Sequence, residues 1–197
     1  MKTLFKNATI LAGLIAISFS ATAQTSTPTT TSTTSSNGII YSVGVDGGFT
    51  AGSFKNTNKW DLGGTVQADI PVASQFFLDI NAGYLNFYGK NDAYGTGTQA
   101  EAVRLLPVKA GLKYFVINHV YVQADAGVGF ALNKSDLGYQ RTAAFLYTPQ
   151  IGVQLPVGNK EFIDAGAYYE ASTKYTSGVD NTKINFFGLR VAYAFGL

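Results

Sequence analysis

The sequence predicts an all-β chain, folded as an eight-stranded, antiparallel, up-and-down transmembrane β-barrel. Three observations predict it. Apolar residues recur at every second position in eight separate segments between Gly38 and Leu197, the connections between those segments alternate short and long, and the chain opens on a stretch that reads as a secretory leader. A strand sends successive side chains to opposite faces, so each segment has one apolar face and one polar, small-residue face. Val43, Val45 and Phe49 alternate with Ser42, Gly44, Asp46 and Gly48; Val120, Val122, Ala124, Ala126, Val128 and Phe130 alternate with Tyr121, Gln123, Asp125, Gly127 and Gly129.

Residues 1–23 are expected to be a signal peptide. Lys2 and Lys6 supply its positive end, Ile10 to Phe19 its apolar run, and Ala21-Thr22-Ala23 its cleavage site, so that Gln24 begins the mature chain. Residues 24–37 form a Ser/Thr-rich tract with one proline, Pro28, and nothing apolar to bury; the expectation there is a disordered leader. Residues 38–197 remain for one barrel domain. Of the 14 Lys and Arg, Lys2 and Lys6 precede the cleavage site, which leaves 12 cations against 12 Asp and Glu. These charges are dispersed along the chain, a pattern that does not suit nucleic acid. The chain has no cysteine, which excludes disulfides, lipoprotein anchoring and thiolate metal sites. No cofactor and no metal site is expected.

The strands read as Ile39–Thr50, Lys59–Ile70, Gln75–Tyr88, Gln99–Phe115, Val120–Leu132, Thr142–Leu155, Glu161–Thr173 and Thr182–Gly196. Short connections follow the second, fourth and sixth: Pro71 to Ser74, Val116 to His119 and Pro156 to Lys160. Longer, polar, glycine-bearing ones follow the first, third, fifth and seventh, which is the arrangement of periplasmic turns and external loops. A local echo supports four hairpins in series. Asp46-Gly47-Gly48, Asn81-Ala82-Gly83, Asp125-Ala126-Gly127 and Asp164-Ala165-Gly166 each fall on an odd-numbered strand.

The direction of the alternation separates a membrane barrel from a soluble one. Asp46, Asp61, Gln67, Asp69, Asp79, Lys109, Lys113, Asp125, Asp164, Glu170 and Arg190 share the polar face, and a dry core holding so many ionisable groups would cost several kcal/mol for each. Polar inside and lipid outside is the expected sense. Aromatics at strand ends form the expected interfacial girdle: Phe49, Trp60, Phe130, Tyr147, Tyr169 and Phe187 on the outer side, Tyr41, Phe76, Tyr114, Tyr193 and Phe195 on the inner.

On these strands, and on the closing segment Gly188-Leu189-Arg190-Val191-Ala192-Tyr193-Ala194-Phe195-Gly196-Leu197, the chain resembles the OmpA/OmpX-like family of small eight-stranded outer-membrane barrels. The resemblance covers 38–197. It implies an outer-membrane location, contact with outer-membrane lipid, and insertion by the barrel-assembly machinery, which reads the aromatic alternation of the last strand. The family often ends on an aromatic, whereas here Gly196 and Leu197 follow Phe195.

Inside the barrel, Asp46, Asp79, Lys109, Lys113, Asp125, Asp164 and Arg190 are expected to form an ion-pair network. Counting from strand ends sets Lys109 level with Asp125 and Asn81, Lys113 near Asp79, and Arg190 beside Asp46 and Asp164. Two readings of this network compete: a plug of mutually paired charges and a narrow, cation-preferring pore. An outer-leaflet lipid-modifying enzyme is a third possibility, but it would need histidine near the external rim, and the one histidine, His119, lies in a short inner turn. The expectation is a monomeric, non-catalytic barrel with a plugged lumen, acting in envelope integrity or through its loops on an extracellular ligand. Tyr94, Tyr139 and Tyr175 are the candidate loop anchors.

Overall fold

The computed structural model of the chain describes residues 38–91, 93, 98–179 and 182–196. The expected leader and Ser/Thr tract lie outside the described residues, as do Tyr94 and Asp180. Eight strands run through the described residues in chain order: β1 (Ile40–Thr50), β2 (Asn58–Ala73), β3 (Phe76–Gly89), β4 (Val103–Ile117), β5 (Val120–Ala131), β6 (Ala143–Gly158), β7 (Glu161–Ser172) and β8 (Asn185–Gly196). Each pairs antiparallel with the next. β8 then returns to β1, with Ile40 facing Gly196 and Thr50 facing Phe186, so the sheet closes and leaves no free edge.

The three inner turns are tighter than the sequence suggested. Only Ser74-Gln75, Asn118-His119 and Asn159-Lys160 stand between paired strands. Pro71 and Pro156, read as breakers, continue their strands opposite Phe77 and Phe162, and the register slips directly after each of them. A bulge at that point absorbs the missing N–H donor. His119 and Lys160 take left-handed backbone angles, φ 71° and 59°, in the second position of their turns. At the outer end two strands are markedly shorter than expected: β4 begins at Val103 rather than Gln99, and β8 at Asn185 rather than Thr182.

The alternation has the expected sense. Val45 is 65% and Phe49 74% exposed on the outer wall, while Asp46 between them is 2% exposed inside. An apolar exterior on a closed barrel is a surface for lipid. The outer girdle forms a continuous aromatic row across five strands. Tyr88 stacks on Trp60 at 4.2 Å, Trp60 faces Phe49, Phe49 faces Phe187, and Phe187 packs on Tyr169 at 4.8 Å. Phe130 and Tyr147 stand outward near the same end of β5 and β6. At the inner end Phe76 stacks on Tyr114 at 4.5 Å, and Phe195 lies 6.2 Å from Tyr41 and 6.1 Å from Tyr193.

The inside is not polar throughout. Leu85, Phe87, Val103, Leu105 and Phe186 point inward at the outer end and form an apolar plug. Phe54, carried inward by a 3-10 turn (Gly52–Asn56), completes it together with Tyr175 and Ile184 from the β7–β8 connection. Phe87 meets Phe54 and Phe186 edge to face at 5.2 and 4.9 Å. A second, smaller plug of Ile40, Phe77, Phe162 and Ala194, with Phe115 against it, closes the inner end. Eight strands enclose only enough width for side chains, and here those side chains fill it in three layers: apolar, polar, apolar.

Candidate functional site: a sealed polar lumen

The polar layer is built from strand parity. All four echoed residues, Asp46 on β1, Asn81 on β3, Asp125 on β5 and Asp164 on β7, are buried in it. The cations come from even strands: Lys109 and Lys113 on β4, Arg190 on β8. Acceptors and donors therefore reach toward each other across the barrel.

Lys109 Nζ lies 2.5 Å from Glu170 Oε2 and donates to Thr148 Oγ1 at 3.1 Å, while Thr148 itself donates to the same Glu170 oxygen at 3.1 Å. Lys113, 1% exposed, sits 2.6 Å from Asp69 and 3.6 Å from Asp164, and its ammonium lies 4.5 Å over the Tyr121 ring. Tyr121 donates to Asp164 at 2.8 Å and accepts from Gln150 at 2.7 Å. Arg190 donates through Nε to Thr65 and through Nη2 to Ser42, both at 2.8 Å, and the Thr65 hydroxyl donates in turn to Asp46 at 2.8 Å. Arg190 Nη1 stands 3.6 Å from Asp164, an electrostatic contact beyond hydrogen-bond reach.

Several expected pairings are replaced. Lys109 faces Gly127, not Asp125, on β5, and its ion pair is with Glu170 on β7. Lys113 pairs with Asp69 and Asp164 rather than Asp79. Asp79 and Asp125 are served by amides instead: Asn81 donates to both, at 3.2 and 3.0 Å, and Gln123 adds bonds to Asp125 at 3.1 and 3.0 Å. Arg190 does stand beside Asp46 and Asp164 as expected, facing Asp46 across the β1–β8 register, and Thr65 links Arg190 to Asp46 by hydrogen bonds. The physical reason for the replaced pairings is strand tilt. Counting residues from strand ends ignores the stagger that closes a barrel, and a lysine long enough to cross the lumen finds a partner on a far strand. Asp69, Glu170, Thr65, Thr148 and Tyr121 are the network members that strand-end counting missed. Their parity is the signal that finds them.

Two tyrosine rings fit the lumen because glycines face them. Tyr121 pairs with Gly152 and Tyr168 with Gly188 on the neighbouring strands. A Cβ at Gly152 would meet the Tyr121 ring, and one at Gly188 would meet the Tyr168 ring. Little free volume is left. The gap among Asp46, Lys109, Glu170 and Arg190 amounts to about 20 Å³, about the space of one water. Asp61, at the base of the outer plug, is 1% exposed and neither of its carboxylate oxygens has a hydrogen-bond partner. Among the described residues no group of three or more His, Cys, Asp or Glu is placed to hold a metal ion.

His119 is half-buried in its two-residue turn, and its carbonyl accepts the Gln154 N–H at 2.7 Å. Of the loop anchors, Tyr175 is not available to a ligand. It is fully buried, donates to the Gly129 carbonyl at 2.9 Å and stacks on Tyr139 at 5.1 Å. The connections fold into the barrel mouth because the apolar plug draws them there.

No family model matches the chain, and no curated protein matches it. Solved structures do. The outer membrane protein OprG from Pseudomonas aeruginosa is 10% identical over 81% of this chain and 96% of that one, with a TM-score of 0.52. The outer membrane protein AlkL, solved in lipid bilayers, is 15% identical over 89% of this chain and 97% of that one, with a TM-score of 0.50. At such identities the likeness is one of fold. The chain has the fold of the small eight-stranded outer-membrane barrels that its strands and closing segment resemble.

Proposed function

We propose that this chain is an integral outer-membrane barrel, closed to conduction, that works without catalysis by supporting the envelope and presenting its outer connections. The observation that carries the reading is the sealed polar layer. Each of its three cations stands within 3.6 Å of a carboxylate, and apolar side chains stop both ends. A conducting pore needs water along its length, and an active site needs polar groups held open for a substrate. In this reading the leader is removed after Ala23 and the barrel-assembly machinery inserts the chain through β8. It remains monomeric because closure leaves no edge to pair.

The test is single-channel conductance of the refolded mature protein in a planar bilayer, after a heat-sensitive gel shift has shown folding. A silent barrel is the expected result. Steady openings altered by Lys109→Ala would overturn the plug, and cation selectivity among them would make the protein a pore.

A further inference from the structure

We infer that the outer rim of the barrel binds the anionic phosphate headgroups of the surrounding lipid, with Arg104 as the anchoring residue. This rests on the reading of the chain as a membrane barrel. The mature chain carries equal numbers of cations and anions, yet the fold sorts them. The lumen takes seven carboxylates (six aspartates and Glu170) against Lys109, Lys113 and Arg190. The inner end takes one of each, Lys160 and Glu161.

The remaining cations all stand at the other end, two for each outer connection. Lys55 and Lys59 lie about the first, and Lys90 and Arg104 flank the second. Lys134 and Arg141 belong to the third, Lys174 and Lys183 to the fourth. Four acidic residues share these segments: Glu101 and Asp136, together with Asp92 and Asp180 in the sequence. By sequence, the outer connections therefore carry an excess of four basic residues, and the lumen an excess of four acidic ones.

Arg104 stands apart within that rim. Its neighbours Val103 and Leu105 are buried in the outer plug, so its own side chain projects from the lipid-facing side of β4, where it is exposed. It faces Asn86 on β3, two residues below Tyr88, whose ring stacks on Trp60. The backbone holds it in place: its N–H donates to Asn133 Oδ1 at 3.1 Å, and its carbonyl accepts from Leu132 at 2.9 Å. A cation on the lipid wall is tolerated only near the interface, where a long side chain reaches the headgroups. A guanidinium there offers a paired donor fork that matches a phosphate. Tyr88 on β3 stands two residues nearer the outer end and Phe130, which faces Leu106, two residues nearer the middle, so Arg104 sits within the aromatic girdle.

Trp60 is the only tryptophan and lies in this rim, so its fluorescence reports on the local lipid. The barrel is refolded into mixtures of phosphatidylcholine with brominated-chain phosphatidylglycerol, and separately with brominated-chain phosphatidylcholine. Quenching of Trp60 is compared between the two. The expected result is a severalfold preference for the anionic lipid, weakened about fivefold by Arg104→Gln and partly by Lys134→Gln. Lys160→Gln, at the opposite end, should leave it unchanged. Equal quenching by both lipids overturns the inference, as does a preference indifferent to both Arg104→Gln and Lys134→Gln. A preference abolished by soluble inorganic phosphate would assign the rim to free anions and overturn it too. The heat-sensitive gel shift reports insertion independently. A folded barrel without lipid preference therefore defeats this inference alone, whereas failure to insert defeats the membrane reading beneath it.

Discussion

Lys109 on β4 reaches across the lumen to Glu170 on β7, bringing Nζ to 2.5 Å from Oε2 with two strands between them around the wall. This contact ties opposite sides of the barrel together. It also explains why the polar layer cannot be understood from neighbouring strands alone.

Lys109→Met should leave Glu170 fully buried and without its cation. The expected loss is roughly 3–5 kcal/mol, the cost of breaking a buried pair by removing one partner. Lys109→Met combined with Glu170→Leu should recover most of it. Urea unfolding midpoints of the two variants, followed in the same detergent, check this; equal losses would show that the pair carries no such coupling.

Arg190→Ala removes the donors to Thr65 and Ser42 and disconnects Asp46 from its cation. A loss of about 3 kcal/mol follows from two charge-assisted hydrogen bonds. Arg190→Lys should not rescue it, because an ammonium cannot span both hydroxyls as the guanidinium fork does. The same unfolding measurement decides the matter, and an Arg190→Lys barrel as stable as the parent would refute the fork.

Gly188→Ala drives a methyl into the Tyr168 ring. Overpacking of this kind costs about 1–3 kcal/mol. Gly64→Ala is its control. Gly64 lies on the lipid-facing side of β2, and a Cβ there finds its nearest neighbour, the Gly44 carbonyl, at 3.4 Å. That change should fall within about 0.5 kcal/mol of neutral. A thermal gel-shift series separates the two.

Burial first, then the charge of Glu170 and the nearby Tyr139, holds the Tyr175 hydroxyl above its ordinary value of 10.0. The group is neutral in the folded barrel at a pH where the unfolded chain already ionises it. Stability from this group is therefore intact below the unfolded value and is lost as pH climbs above it. The loss is at most about 1.4 kcal/mol per pH unit. Tyr175→Phe should flatten that part of the alkaline decline and cost about 1 kcal/mol at neutral pH through the lost bond to Gly129. Unfolding midpoints taken at neutral pH and across the tyrosine range test both statements; identical alkaline slopes would remove Tyr175 from the account.

The two apolar plugs were within reach of the sequence. Asp79 and Asn81 are lumen residues, and extending their parity along β3 places Phe77, Leu85 and Phe87 on the same inner face. The same step from Lys109 along β4 places Leu105 and Val103 inside. Strand parity carries this information, but polar residues draw the eye to the middle of each strand. Phe54, Tyr175 and Ile184 are different. They come from connections with no alternation to read, and only the apolar mouth of the finished barrel gives them a place.

Period-two patterning, repeated eight times with connections alternating in length, was enough to determine the barrel, its strand order, and which side chains face lipid. Those features are local: each follows from the geometry of one strand and from the need to keep apolar surface away from water. What the lumen charges do to one another was decided only on closure. Stagger between strands sets which residues share a height, and the width of eight strands sets which can touch across the gap. Thus Lys109 meets Glu170 rather than Asp125, and residues 24–197, with equal numbers of acidic and basic side chains, are sorted into an acidic lumen beneath a basic rim.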